Sequence, residues 1–193
     1  MEHGLASLIV DMPDAKLQAV ARHWMTLHYA GGGIPRLRAV DALQLGQALS
    51  DIWILDLHDD GMPRVHLAGE TLADWFGRCL KGLRLSEIYN ADMLPLILNM
   101  VRQVSETPAI LLQQAHSLPT NRSFTVPFHR LALPLCDDAG AIRHVLGISV
   151  FSSRAGHGQG PVRTSIERER LYPLRVTAAE RAASTERAAA MVA

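Results

Sequence analysis

Three glycines, Gly69, Gly77 and Gly82, break the apolar run 66-HLAGETLADWFGRCLKGLRLSEI-88 into pieces too short for one long helix. Glycine weakens helix interiors and permits positive φ at helix ends. The run therefore predicts two short helices, over 71–76 and 85–89, separated by tight turns. A phosphate-gripping loop is one way to use such glycines, but neither G-x-G-x-x-G nor a P-loop lysine motif is present.

The flanking segments alternate between helical and strand periodicities. In 15-AKLQAVARHWMTLHYA-30, Leu17, Val20, Ala21, Trp24 and Leu27 or His28 recur at helical spacing. Pro13 suits a first turn, and 31-GGG-33 ends the helix. A Pro-containing lead-in, 34-IPR-36, then precedes a short helix around 42–49. Strict alternation marks strands at 52–58 and 64–69, with the Asp-Gly turn 59-DDGMP-63 between them. After the glycine-rich run, Asn90 or Asp92 caps a helix over 91–106, with Leu94, Ile97, Leu98, Val101 and Val104 on its buried face and Pro95 tolerable in its first turn. Strands at 108–116, 124–136 and 142–151 complete the domain, the last two joined by the turn 137-DDAG-140. Pro127 and Pro134 predict bulges or an exposed edge. The expected division is 1–33, an N-terminal amphipathic helix with its glycine linker; 34–152, the domain proper; and 153–193, a Gly/Arg/Ala-rich tail, flexible or partly helical.

Charge excludes several classes. Lysine plus arginine equals aspartate plus glutamate at 19 each, so no global field favours a nucleic acid or an anionic membrane. In the tail, seven arginines stand against four glutamates, a local excess only. Cys79 and Cys136 fit neither a zinc pattern nor a disulfide framework, which suits a reducing cytoplasm. The first 14 residues lack the basic region of a signal peptide, and no apolar run approaches the ~20 residues of a membrane span. A soluble, cytoplasmic protein is expected.

The order predicts an α+β fold: a five-stranded antiparallel sheet with helices on one face, plus the N-terminal amphipathic helix. The pattern L-A-G-x-x-L-x-x-x-F-G-x-x-L-x-G-x-x-L-x-x-I, from Leu67 to Ile88, resembles a PAS domain. More narrowly, the Trp24-bearing leading helix, 34-IPR-36 and 134-PLCDDAG-140 are similar to a PAS subfamily of small bacterial proteins, formerly a domain of unknown function. The resemblance covers roughly residues 20–152. It implies that Gly69 ends the second strand, Gly77 the first short helix, and Gly82 the turn before the next. It also implies a sensor or signal relay that binds haem, flavin, a small metabolite or nothing, and that often dimerises through its leading helix.

The residues narrow those options. Cys79 precedes Gly82, whereas light-sensing relatives carry their reactive cysteine in a motif after the second glycine, where this chain reads 82-GLRLSEI-88. Haem needs an axial ligand, and the helix over 91–106 offers no histidine, only Met93 and Met100, which read as pliable core filler. His116, His129 and His144 lie on three successive strands. With 137–140 as the turn, His144 falls opposite about residue 134 and His129 opposite about 149, roughly 16 Å apart along the ladder. They cannot share a metal at ~2.1 Å bonds. No nucleophile elbow, H-E-x-x-H or base-flanked cysteine is present, so no catalytic residues are assigned. The paired aspartates 59–60 and 137–138 read as turn acids.

What remains is the space between sheet and helices, either a filled core or a pocket. Its candidate lining is Trp53, Leu55, Trp75, Phe76 and Ile97, with Val101, Leu112, Leu133, His144 and Leu146. His144 is a polar group in an apolar register and needs a partner, which a ligand could supply. The stripe Leu17, Val20, Trp24 and Leu27 either packs on its own domain or pairs with a second copy; the expectation here is a homodimer. The reading is a non-enzymatic, PAS-like regulatory module that binds a small ligand or a protein partner and relays a conformational change, with no cofactor named. The competing reading is a ligand-free adaptor between proteins.

Overall fold

The computed structural model describes residues 7–119, 125–152 and 162–174. A helical turn at 7–10 leads to α1 (Ala15–Gly31). The Asp14 carboxylate accepts the Lys16 N–H at 2.7 Å, so Pro13 stands before the cap rather than inside the first turn. Two 3₁₀ turns, Leu37–Ala39 and Gly46–Asp51, flank α2 (Ala42–Leu45) and deliver the chain to β1 (Ile52–Asp56). Then follow β2 (Arg64–Ala68), α3 (Glu70–Phe76), α4 (Leu85–Ile88), α5 (Leu94–Ser105), β3 (Ala109–Pro119), β4 (Val126–Cys136), β5 (Ile142–Phe151) and β6 (Val162–Pro173). Asn90 takes the Met93 N–H on its side chain at 3.0 Å ahead of α5.

The sheet is antiparallel, in the order β2-β1-β5-β4-β3-β6. Two expectations need correction. The sheet has a sixth strand, β6, within the segment expected to be flexible or helical. It pairs with β3 from Ala109↔Pro173 to Pro119↔Val162. Its sequence, 164-TSIERERLY-172, carries charge on both faces, as an edge strand tolerates. Residues 153–161 and the Ala-rich stretch 177–193 lie outside the described residues.

The helices α3–α5 lie on one face as expected, and the N-terminal helix α1, expected at a dimer interface, covers the other. Against the first face, α3, α4 and α5 bury Leu72, Leu85, Ile97, Met100, Val101 and Val104 over Trp53, Leu55, Leu111, Ala132 and Val145. Against the second, α1 buries Leu17, Val20, Ala21 and Trp24 over Ile52, Ile54, Leu131, Leu133, Leu135, Leu146 and Ile148. Leu17, Val20 and Trp24 are fully buried and Leu27 half-buried, so the stripe expected at a dimer interface is covered by the chain's own sheet. The Trp24 indole N–H donates to the Pro134 carbonyl at 2.9 Å. Lys16 pairs with the buried Asp51 carboxylate at 2.5 Å, anchoring α1 at the start of β1. The 7–14 segment is tied to β6 through Asp11, whose carboxylate accepts from Tyr172 Oη and Arg170 Nη1, each at 2.5 Å. These two donors hold the Asp11 carboxyl below its ordinary pKa.

The glycine-rich run folds as two short helices, with residues 82–85 laid along the edge of β2: Gly82 N–H donates to Val65 O (2.7 Å) and Val65 N–H to Leu83 O (2.9 Å). Gly82 sits at φ +82°, and a Cβ there would meet no atom within 4 Å. Only backbone strain therefore opposes a side chain. Gly82→Val is expected to lose about 1–2 kcal/mol, a fall of roughly 3–6 °C in melting temperature. An unchanged melting curve would contradict the left-handed turn.

Candidate functional site

β4 and β5 form the middle of the sheet, and strand alternation fixes what they present to α3–α5. From β4 come Phe128, Arg130 and Ala132; from β5, Val145, Gly147, Ser149 and Phe151. Ala132 and Val145 close one end with packed aliphatic core. Toward the other end the larger side chains leave a cavity of about 60 Å³. A single water needs ~10–15 Å³, so the space holds roughly four to six water-sized groups. Trp53, Leu55, Val65 and Leu72 wall it on the β1–β2 side, with Trp75, Phe76, Leu80, Leu85 and Tyr89 from the α3–α4 region and Ile97 and Met100 from α5. Ser117 on β3 and Thr164 on β6 also line it.

The walls are held by aromatic contacts. Trp75 stacks on Phe151 at 4.2 Å between centroids, Phe128 tilts against Phe151 at 5.2 Å, and Phe76 meets Tyr89 edge-on at 5.7 Å. Trp53 donates its indole N–H to Ser149 Oγ at 3.0 Å, which fixes the ring flat over β5.

One charged group lines this cavity. The Arg130 guanidinium lies 5.0 Å over the Phe128 ring and donates to Gln113 Oε1 (3.4 Å), Ser149 Oγ (3.5 Å) and Met100 Sδ (3.6 Å). Desolvation pushes Arg130 below the usual guanidinium pKa, although an arginine stays charged in proteins. The same desolvation raises the pKa of Tyr89, which therefore presents a neutral hydroxyl. Gln113 turns its amide N–H to Glu169 on β6 at 2.7 Å, so Gln113 stands between Arg130 and that carboxylate.

Five of the sequence candidates meet in this cavity: Trp53, Leu55, Trp75, Phe76 and Ile97. Val101 shares their core cluster but borders a separate groove with Leu57, His58 and Leu98. Leu112, Leu133 and Leu146 face α1 on the opposite side of the sheet, so they cannot line it. His144 is also on that side, and its partner is internal: Nδ1 meets Asp56 Oδ1 at 2.8 Å, while Asp56 Oδ2 meets His66 Nδ1 at 3.0 Å. A bulge at Leu135/Cys136 shifts the β4–β5 register by one from the expected pairing, giving His144↔Leu135 and His129↔Val150. His116 pairs with Glu167. Among the described residues no group of three or more His, Cys, Asp or Glu is arranged to hold a metal ion. Nor is any described helix long and apolar enough to cross a membrane.

The residues missed are informative. Phe128, Arg130, Ser149 and Phe151 carry a readable signal, since they occupy the register opposite Leu131, Leu133, Leu146 and Ile148. Thr164 carries none, because β6 does not alternate apolar and polar residues.

No curated protein and no solved structure matches the chain. A family model described as PAS domain matches residues 12–150, which takes in every element from α1 through β4 and all but the last residue of β5. With more than two-thirds of its length matched, and with the six-stranded α+β architecture described above, this chain belongs to the PAS domain family.

Proposed function

We propose that this chain is a sensory module that holds a small molecule between the sheet and α3–α5 and passes its occupancy to a protein partner. The observation that carries this reading is the 60 Å³ cavity itself, walled by aromatic rings and supplied with hydroxyl groups and one guanidinium. Small-molecule sites have this composition: mostly apolar walls with a few placed polar groups. PAS domains are sensory and regulatory modules, commonly without enzymatic activity, and this chain belongs to that family. Two connections lead outward. Thr164 of β6 lines the cavity, and Glu169 of β6 reaches Arg130 through Gln113, so an occupant would bear on an edge strand. Self-association, common in the family, would use surfaces other than Leu17, Val20 and Trp24, which are already covered.

The adaptor reading draws on a different observation. Ile166 and Leu171 on β6 are each about two-fifths exposed, on a strand with no further strand beside it among the described residues. An incoming strand or apolar partner surface would find both there.

Native mass spectrometry of the freshly purified chain separates the two. The sensor reading expects a reproducible added mass on the wild type that is lost from Ser117→Leu, a cavity-filling change, with circular dichroism unchanged. Bare chain in both samples would favour the adaptor.

A further inference from the structure

The charge in the cavity is not balanced from within. Arg38, Arg84, Arg143 and Arg170, all outside the cavity, each meet an aspartate. Arg130 meets none: among the described residues no carboxylate oxygen lies within 4.0 Å of its nitrogens. Its contacts are neutral and, for N–H···O bonds, long. A guanidinium has five N–H donors, so capacity for a bidentate acceptor is left over. The carboxylate nearest along the bonded chain, Glu169, is engaged by the amides of Gln113 (2.7 Å) and Gln103 (3.3 Å). Gln113 thus orients Arg130 and keeps Glu169 from quenching it. A half-buried guanidinium facing apolar walls without a counter-ion is unfavourable, and an anion arriving to pair with it would relieve that cost.

Resting on the ligand-binding reading, we infer that the cavity is built for a small organic monoanion, a carboxylate on a compact apolar body, with the carboxylate on Arg130. One guanidinium among neutral hydroxyls and an amide balances one negative charge. Phosphate, more highly charged and polar on every side, would find a single cation and apolar walls. The apolar body would lie against Trp75, Phe76 and Phe151, where stacked rings offer flat surface. The volume limits that body to a short aliphatic chain, since a ring plus a carboxylate has nine heavy atoms and exceeds the roughly four to six water-sized groups the space holds.

The test is calorimetric titration of the full chain with butyrate, its neutral isostere butyramide and inorganic phosphate, on wild type, Arg130→Met and Arg130→Lys. The expected result is saturable binding of butyrate, at least about tenfold tighter than butyramide or phosphate, with the preference lost in Arg130→Met and partly kept in Arg130→Lys. Arg130→Met should melt at or above the wild-type temperature, since an unpaired cation is replaced by an apolar chain of similar volume. Butyramide binding as tightly as butyrate would overturn the anion assignment while leaving the cavity a ligand site. Phosphate binding as tightly as butyrate would overturn the apolar body. No binding by any probe would overturn the inference as stated. The sensor reading itself stands or falls separately, on the mass retained by the purified wild type.

Discussion

Trp24→Ala is expected to lower the melting temperature by roughly 10 °C. The indole is fully buried between α1 and the sheet, stacked on His28 at 5.0 Å, and its N–H is paired with the Pro134 carbonyl. Truncating a buried tryptophan to alanine removes about 3–5 kcal/mol, and for a chain of this size each kcal/mol shifts the transition by about 2–4 °C. The substitution also leaves the Pro134 acceptor short of a donor inside the core. Trp24→Glu would be worse, because it places an unpaired carboxylate in the same apolar layer. The outcome discriminates between two uses of α1. If the helix face served a second copy, Trp24→Glu would give a folded monomer; packed as seen, it should give no folded protein. A folded, monomeric Trp24→Glu with an unchanged thermal transition would overturn the packing of α1 on its own sheet.

That α1 is amphipathic was legible from the spacing of Leu17, Val20 and Trp24; what covers its apolar face was not. Periodicity reports that a face is apolar, and a sheet of the same chain and a partner helix satisfy it equally. The same limit explains the divided pocket list. Alternation in 128-FHRLALPLC-136 shows that Leu131, Leu133 and Leu135 share a side. It does not say that this side meets α1 while Phe128 and Arg130 meet α5. Choosing the apolar parity for the pocket put Leu133 and Leu146 in it and left Arg130 out. An arginine on the same face as Phe128 and Ala132 of a central strand was the available clue. His144 invited a ligand because its sequence neighbours supply no partner; Asp56 comes from β1, 88 residues away. β6 was missed for a different reason. Its Glu and Arg residues carry no strand period, and its extended form comes from pairing with β3. By contrast, the short helices around Gly77 and Gly82 were legible, because backbone conformation there is set by the glycines themselves.

Gly147→Ala is the second change expected to act strongly, and it links the fold to the cavity. A Cβ built on Gly147 would sit 2.0 Å from Trp53 Cζ2 and 2.1 Å from Cε2, well inside any tolerable contact. Two effects oppose each other. Replacing glycine within a strand gains about 0.5–1 kcal/mol by restricting the unfolded chain. Overpacking a rigid ring in a closed core loses about 1–3 kcal/mol or more. The second wins, because the indole cannot swing freely: it is buried and tethered to Ser149 Oγ. The ring must leave β5, and the adjoining space is the cavity it lines. Gly147→Ala is therefore expected to lower the melting temperature by several degrees, to alter the near-ultraviolet circular dichroism of the tryptophans, and to abolish retention of any bound mass. Trp53→Phe removes the indole's second ring, so the double variant should be more stable than the sum of the single losses predicts, by about 1 kcal/mol. Additive losses, with the wild-type near-ultraviolet spectrum kept in Gly147→Ala, would show that the indole does not rest on Gly147. Arg130 and Ser149 would then be positioned by something other than the ring that now bonds to Ser149.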